Sequence, residues 1–301
     1  MRDLDLKTLR LLVAVCDHQN IKAAAAQEHI EPSAISKRIA QLEDMLGAPL
    51  LVRGRRGVRP TPAGQALLEH ARTMLFTLQR IESDVDAFKG GVRGHVSLVA
   101  SISAIAASLL DDVAAFMGDP EHRDIKIDIE ERVSLELIRV VKDGRASVGI
   151  CWDNIDFEGL EHRPYRGDQL ALAVYEDHPL SRKASVAYAR TLGYEHVGLN
   201  ASTAVHAMLQ RAAARLGKTV NYRVVVSSFD AAFRAVNARL GIAVVPMQLS
   251  QIYASAGRVR MIPLTDPWAR RRFAACFREF DTLPPAARRM VEFLTACAAS
   301  A

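Results

Sequence analysis

Apolar residues in the first 90 positions recur at helical rather than strand spacing. Leu9, Leu12, Val13 and Cys16 share one helix face, and Asp5 is placed to cap the helix that carries them. Residues 21–28 read as a second, short helix with four consecutive alanines, small enough for another helix to cross closely. In a third helix Ile35, Ile39, Leu42 and Leu46 step by four, three and four, which gathers them into one buried stripe. Pro32 suits its first position, where the missing N–H is not needed, and Gly47 with Pro49 supplies its stop. Ile30 plugs the turn between the second and third helices. Three such helices can close a small core, and residues 20–46 have the form of a helix, a tight turn and a second helix.

A different stripe follows. Thr61 and Pro62 open another helix as cap and first residue. Along it Leu67, Ala71, Met74, Leu78, Ile81, Val85 and Phe88 alternate steps of four and three, the seam of a coiled coil over three heptads. So narrow a stripe needs a partner helix, and the same helix of a second subunit is the expected one. Residues 62–89 would extend about 42 Å at 1.5 Å per residue. Gly90 and Gly91 end this helix and mark the main domain boundary.

Beyond the boundary short apolar strands alternate with amphipathic helices. Strands are expected at residues 95–100, 125–129, 147–152, 170–175, 195–199, 222–226, 241–245 and 272–277, and helices at 103–117, 134–143, 203–216, 229–240 and 285–298. The rhythm predicts parallel sheets with right-handed crossovers. The final strand and helix could return to the first sheet, and two sheets linked by crossing strands leave a cleft between them.

Composition narrows the chemistry. At 301 residues and half hydrophobic, the chain has room for two or three domains. A net charge of +5 is too small for a polycation that coats nucleic acid indiscriminately, so any DNA surface is local. Cys16, Cys151, Cys276 and Cys297 include no CxxC pair, which argues against structural zinc or a disulfide framework and fits a reducing cytoplasm. The first 15 residues do not read as a secretory signal, and no apolar run is long enough to span a bilayer, so no membrane partner is expected. No GxSxG elbow, phosphate-loop motif or HExxH is present, and the nine histidines are scattered. An enzyme is not expected, and neither catalytic residues, metal nor cofactor are assigned. An α/β enzyme and a solute-binding protein, each with an accessory helical domain, are the alternatives; the heptad seam and the missing leader speak against the second.

The polar face of the third helix offers Ser36, Lys37 and Arg38, one hydroxyl and two cations where a recognition helix meets base edges and phosphates. An ordinary helical hairpin is the plain alternative. The segment LLVRGRRGVRPT then places Arg53, Arg55, Arg56 and Arg59 within seven residues, with Gly54 and Gly57 for turning. Beside a helix–turn–helix, clustered arginine reads as a basic wing on phosphate rather than a solvated loop.

With these residues in view the chain resembles the LysR-type transcriptional regulators. The specific part is residues 6–65, where Ala24, Ala25, Ser36, Ile39, Leu42, Glu43, Leu46, Gly47, Leu50, Arg53, Thr61, Ala63 and Gly64 keep the family's spacing. The resemblance implies a multidomain α+β and α/β chain: a winged helix-turn-helix over residues 1–61, a dimerising linker helix over 62–90, and a two-lobed domain like the periplasmic binding proteins over 91–301. Lobe one would take about 91–164 plus 268–301 and lobe two about 165–267. It implies a homotetramer that binds double-stranded DNA and a small-molecule effector, with RNA polymerase as a further partner.

Two departures qualify this. Glu31 and Pro32 stand where the family has Ser and Gln, so the amide that would read a base is absent. Glu31 either accepts from a cytosine amino group or sits where the helix dipole favours a carboxylate. Lys22 replaces a common Thr and could contact phosphate. Lys22, Glu31, Pro32, Ser33, Ser36, Lys37, Arg38, Arg53, Arg55 and Arg56 form the expected DNA set. By the same resemblance, effector contacts fall at Ser101, Ile102, Ser103, Cys151, Trp152, Asn200, Ser202, Thr203, Ser227, Ser228 and Pro246. Hydroxyls and free N–H groups at helix starts suit a small carboxylate or phosphate, although each hydroxyl singly could be a plain cap. Cys151, in an apolar strand with no second cysteine near it in sequence, reads as an inert thiol.

Overall fold

The computed structural model describes residues 4–54, 57–87, 94–250 and 258–299. Contacts divide the chain into two units, Met1–Val85 with Asp143–Arg145, and Asp86–Lys142 with Ala146–Ala301.

The first unit is built on capped helices. The Asp5 carboxylate accepts from the backbone N–H of Lys7 at 3.1 Å and of Thr8 at 3.2 Å and starts α1 (Leu6–His18). Asn20 does the same for α2 (Ile21–Gln27), at 2.8 Å from Lys22 N and 3.3 Å from Ala23 N. α3 (Pro32–Leu46) begins on Pro32 and ends on Gly47, whose φ of 70° is left-handed. Ala24 and Ala25 let the three helices approach, and their core joins Leu11, Val15, Ile35 and Ile39. β1 (Leu51–Gly54) and β2 (Gly57–Pro60) pair antiparallel as the wing. Glu43 on α3 fastens the approach to it, its carboxylate accepting from Leu50 N at 2.7 Å and Leu51 N at 3.1 Å.

α4 (Pro62–Ala87) follows Thr61, whose hydroxyl accepts from Gly64 N at 3.0 Å and donates to the Pro49 carbonyl at 2.7 Å. Gly64 is needed there, because a Cβ would fall 1.9 Å from the Leu50 carbonyl oxygen. This close approach corrects part of the heptad expectation. Leu68 and Ala71 are buried among Leu9, Leu12, Leu42 and Leu50, and Leu67 packs on the same cluster. Ala71 is 0% exposed within its own unit, so it does not face a second subunit. Further along, Met74 at 41% and Ile81 at 53% stand out from the helix, with Leu78 half-buried. Val85 lies on α4, and Phe88 lies outside the described residues.

In the second unit β3 (Gly94–Ala100) lies parallel to β4 (Ile125–Glu131) and β5 (Val148–Trp152). The helix after β3 is interrupted: α5 (Ile102–Ala104) passes through a π turn (Ile105–Leu109) into α6 (Leu110–Met117). α7 (Ser134–Lys142) joins β4 to β5. The all-parallel expectation fails at the crossing strands. β6 (Glu161–Tyr175), expected to begin at Leu170, runs 15 residues, and β11 (Arg270–Phe277) pairs antiparallel with both its first half and β5. The second half of β6 pairs antiparallel with β9 (Ala243–Pro246) and β10 (Val259–Pro263), a strand the sequence reading did not place. β7 (His196–Leu199) and β8 (Tyr222–Val226) are parallel, and a bridge from His196 to Ile242 joins them to this second sheet. α8 (Ala204–Arg215) and α9 (Phe229–Asn237) cover it.

Separate cores follow. One gathers Leu170, Leu172, Tyr188, Met208 and Phe229 around the second sheet. The other two lie around the first sheet; in one, Met290, Val291 and Leu294 of α10 (Pro285–Ala299) pack on Val96 and Leu98, so the last segment does return to the first sheet.

Candidate functional site

On the first unit Ser33 and Lys37 are exposed on α3 and Ser36 is half-buried beside them. Lys37 makes no ion pair with another described residue. Lys22 is exposed on α2. Glu31 occupies the cap position of α3 without a side-chain capping bond, with Pro32 next to it, and its carboxylate stands in solvent.

Arg38 departs from the expected outward trio. Its Nη1 donates to Asp5 Oδ2 at 2.9 Å and to Thr8 Oγ1 at 3.3 Å, which ties α3 back to α1. Three consecutive helical residues sweep roughly 200° at 3.6 per turn, so Arg38 leaves the face shared by Ser33 and Lys37. The Thr8 hydroxyl, the neighbouring backbone N–H groups and Arg38 hold the Asp5 carboxyl below the usual carboxylate range. Arg53 lies on β1; Arg55 and Arg56 lie outside the described residues.

In the second unit a cavity of about 180 Å³ lies between the two sheets' helices. Three helix starts open onto it: Ser101, Ile102 and Ser103 at α5, Val133 and Ser134 at α7, and Thr203, Ala204 and Val205 at α8. At two of these starts the sequence supplies the cap as a hydroxyl. Ser101 Oγ accepts from Ala104 N at 3.4 Å, and Thr203 Oγ1 accepts from His206 N at 3.2 Å while donating to the Asn200 carbonyl at 2.8 Å. Unpaired N–H groups of a helix's first turn are then left to face the cavity. Trp152 closes one side, and Glu131, Arg132 and Glu136 stand at its edge.

Arg271 lines the cavity and is fixed there by Asp168 behind it. Arg271 Nε donates to Asp168 Oδ1 at 2.7 Å, a second bond joins Nη2 to Oδ2, and Nη1 donates to Ser103 Oγ at 3.1 Å. The two side chains are 2% and 0% exposed. Sequence reasoning missed both, along with Arg132 and Ser134. A signal was present: Arg271 falls on the same strand face as Phe273 and Ala275, and a charge on a core-directed position requires a partner.

Five of the expected effector residues, Ser101, Ile102, Ser103, Trp152 and Thr203, line this cavity. Six do not. Asn200 and Ser202 are exposed, and Asn200 meets Thr203 through its backbone carbonyl; Ser227 is exposed; Ser228 caps α9 by accepting from Ala231 N at 3.1 Å; Pro246 is buried at the end of β9. Cys151 points to the opposite sheet face, into a core with Val99 and Leu137. A second cysteine does neighbour it: β5 and β11 set Cys276 diagonally across, and the two thiols hydrogen-bond. That bond together with burial pushes the Cys151 thiol well above its ordinary value, so it stays protonated. Among the described residues no group of His, Cys, Asp and Glu could hold a metal ion, and no helix is long and apolar enough to cross a membrane.

Two family models match the chain: the bacterial regulatory helix-turn-helix of the lysR family over residues 6–65, and the LysR substrate binding domain over residues 89–298. It is 25% identical over 290 residues to the HTH-type transcriptional regulator YbhD of Escherichia coli (strain K12), covering 96% of this chain and 90% of that one. It is 23% identical over 299 residues to the RuBisCO operon transcriptional regulator of Allochromatium vinosum, covering 98% and 97%. Its fold is that of full-length CbnR, crystallised with its target DNA, with a TM-score of 0.70 at 21% identity over 98% of this chain and 100% of that one.

Proposed function

The chain belongs to the LysR family, DNA-binding transcriptional regulators with an effector-binding domain and not enzymes, and from that premise we propose that a small carboxylic acid in the cavity lined by Arg271 controls how it engages its promoter. The observation that carries this reading is the convergence of three helix starts, drawn from both sheets' helices, on one cavity. Free N–H groups and helix dipoles favour negative charge. Arg271 is already matched by Asp168, so it orients Ser103 more than it attracts a ligand. Glu131 and Glu136 at the edge oppose a second negative charge. They favour a ligand whose outer end donates hydrogen bonds, an amino or hydroxy acid with its carboxylate inward.

In this reading residues 1–61 form the head, 62–90 the linker and 91–301 the effector domain. Met74, Leu78 and Ile81 pair α4 with its copy, and dimers assemble as tetramers in the cytoplasm. Ser33, Ser36 and Lys37 approach base edges while the wing arginines hold phosphate. Effector binding shifts lobe closure, which changes head spacing, promoter bend and polymerase recruitment. CbnR with its target DNA supports a duplex as the partner.

The test is a thermal-shift screen of metabolite acids followed by footprinting of the DNA flanking the gene with and without each hit. A stabilising acid whose effect is lost in Ser101→Ala or Thr203→Ala, and which alters the footprint, is expected. No acid that meets both conditions would overturn the effector assignment, and no specific footprint at all would overturn the operator reading.

A further inference from the structure

The Trp152 indole also borders a second and larger cavity, of about 490 Å³. Its lining is chemically unlike the first. Arg211, Arg215, Arg270 and Arg272 line it with a single acid, Asp153, whereas the lining of the first cavity has as many acids, Glu131 and Glu136, as arginines, Arg132 and Arg271. Arg272 is engaged by Asp153 at 3.2 Å and Arg270 Nε donates to Gln169 at 3.3 Å. Arg211 and Arg215 have no ion pair or hydrogen bond to another described residue. They are separated by four positions on α8, which sets them side by side about 5–6 Å apart at Cβ. Both are exposed, and like charges at this spacing repel, most strongly at low ionic strength, a cost that an anion between them relieves.

The aromatic content is equally uneven. The chain has two tryptophans, Trp152 and Trp268, and both line this cavity. Each is half-buried and packs by one part against the second-sheet core, leaving indole surface toward the opening. Planar ring surface beside forked cations is the combination that recognises a flat heterocycle carrying phosphate: the ring stacks, and guanidinium groups take phosphate oxygens in pairs. A cavity of this volume lies in the range of small-molecule sites.

We propose that this second cavity is a binding site for a nucleoside polyphosphate, with the base against Trp152 and Trp268 and the phosphates on Arg211 and Arg215. The two cavities share Trp152, but none of the four arginines borders the first, so the phosphate contacts are separate from the acid assigned there.

The chain's two tryptophans both line this cavity, so indole fluorescence reports on it, and because Trp152 also borders the first cavity the arginine variants are needed to assign the signal. The full chain is titrated with adenosine triphosphate at fixed ionic strength, with adenosine and inorganic tripolyphosphate as separate arms. Saturable quenching by the triphosphate is expected, with at least tenfold weaker binding of either half alone. Replacing Arg211 by Gln, or Arg215 by Gln, should weaken triphosphate binding about tenfold or more, with the urea midpoint unchanged. Absence of saturable quenching would overturn the proposal. So would equal affinity in the Arg211→Gln/Arg215→Gln double variant, which would place the ligand in the first cavity or on the DNA-binding face. Tripolyphosphate binding as tightly as the nucleotide would overturn it also, since the rings would then contribute nothing.

Discussion

Replacing Asp168 by Ala removes the partner of a guanidinium that is 2% exposed. Arginine cannot shed its proton to escape the resulting cost, and water reaches it poorly. Stranding one member of a buried pair costs about 3–5 kcal/mol. For a unit of this size each kcal/mol moves the melting midpoint by about 2–4 °C, so a fall of roughly 6–20 °C is expected. Urea unfolding followed by tryptophan fluorescence measures it cleanly, because Trp152 and Trp268 both lie in the effector unit. The double replacement Asp168→Leu/Arg271→Met should behave differently. Burial pushes the Asp168 carboxyl above its ordinary value even with Arg271 beside it, so desolvation outweighs the pairing and removing both charges should cost less than about 1 kcal/mol. A single variant that loses under about 1 kcal/mol, or a double variant that loses as much as the single, would refute the reasoning.

Three further outcomes follow from placement. Lys37→Ala should reduce the salt dependence of DNA binding by about one unit of log–log slope, while Arg38→Ala, which breaks a bond to Asp5 rather than a phosphate contact, should leave that slope unchanged and cost under about 1 kcal/mol of head stability; filter binding across a salt series separates them. Ile81→Asp should raise the dimer dissociation constant at least tenfold in sedimentation velocity with the head still folded, whereas Ala71→Asp should unfold the head, because Ala71 is enclosed by its own unit. Burial lowers His196 below its ordinary value, so between that lowered value and the ordinary 6.5 or so the unfolded chain takes up a proton that the folded chain refuses. Stability contributed by neutral His196 is therefore present above pH 6.5 and lost as pH falls through the folded value, with His178 acting in the same sense; urea midpoints at pH 7.5 and 5.5 should converge in His196→Gln, and an unaltered pH slope would contradict this.

What was legible in the sequence was local. Asp5, Pro32, Gly47 and Thr61 each start or stop a helix within four residues of themselves, and all four sit where their chemistry places them. Helix periodicity likewise placed Ile35, Ile39 and Leu42 in the core. What was not legible depends on partners far along the chain. Asp168 and Arg271 are separated by 103 positions, and neither announces the other. Strand direction is similarly nonlocal: alternating strands and helices predict parallel crossovers, and nothing local marks β6 and β11 as antiparallel partners. Cys276 beside Cys151 is a consequence of that same pairing. At Arg38 local geometry decides instead: a helix turns about 100° per residue, so Ser36, Lys37 and Arg38 cannot share one face and Arg38 reaches Asp5.

The position of the ion pair also constrains which ligands could act through the cavity. Asp168 and Arg271 stand directly opposite each other on β6 and β11, so Arg271 is held by strand pairing. The other donors come from separate places: Ser101, Ser103 and Ser134 from helices on the first sheet, Thr203 and Ala204 from α8 on the second. Drawing the two sheets' helices apart would separate the two sets of donors and leave Arg271 unchanged. A ligand shifts an equilibrium only as far as its affinities for the two arrangements differ. An acid that touches Arg271 and one set of donors binds both arrangements equally and shifts nothing, however tightly it binds. An acid long enough to reach from Ser101 to Ala204 favours the closed arrangement. In the proposed mechanism, reach across the cavity rather than affinity therefore distinguishes an effector from a competitor, and short acids that stabilise the chain without changing the footprint are the expected competitors.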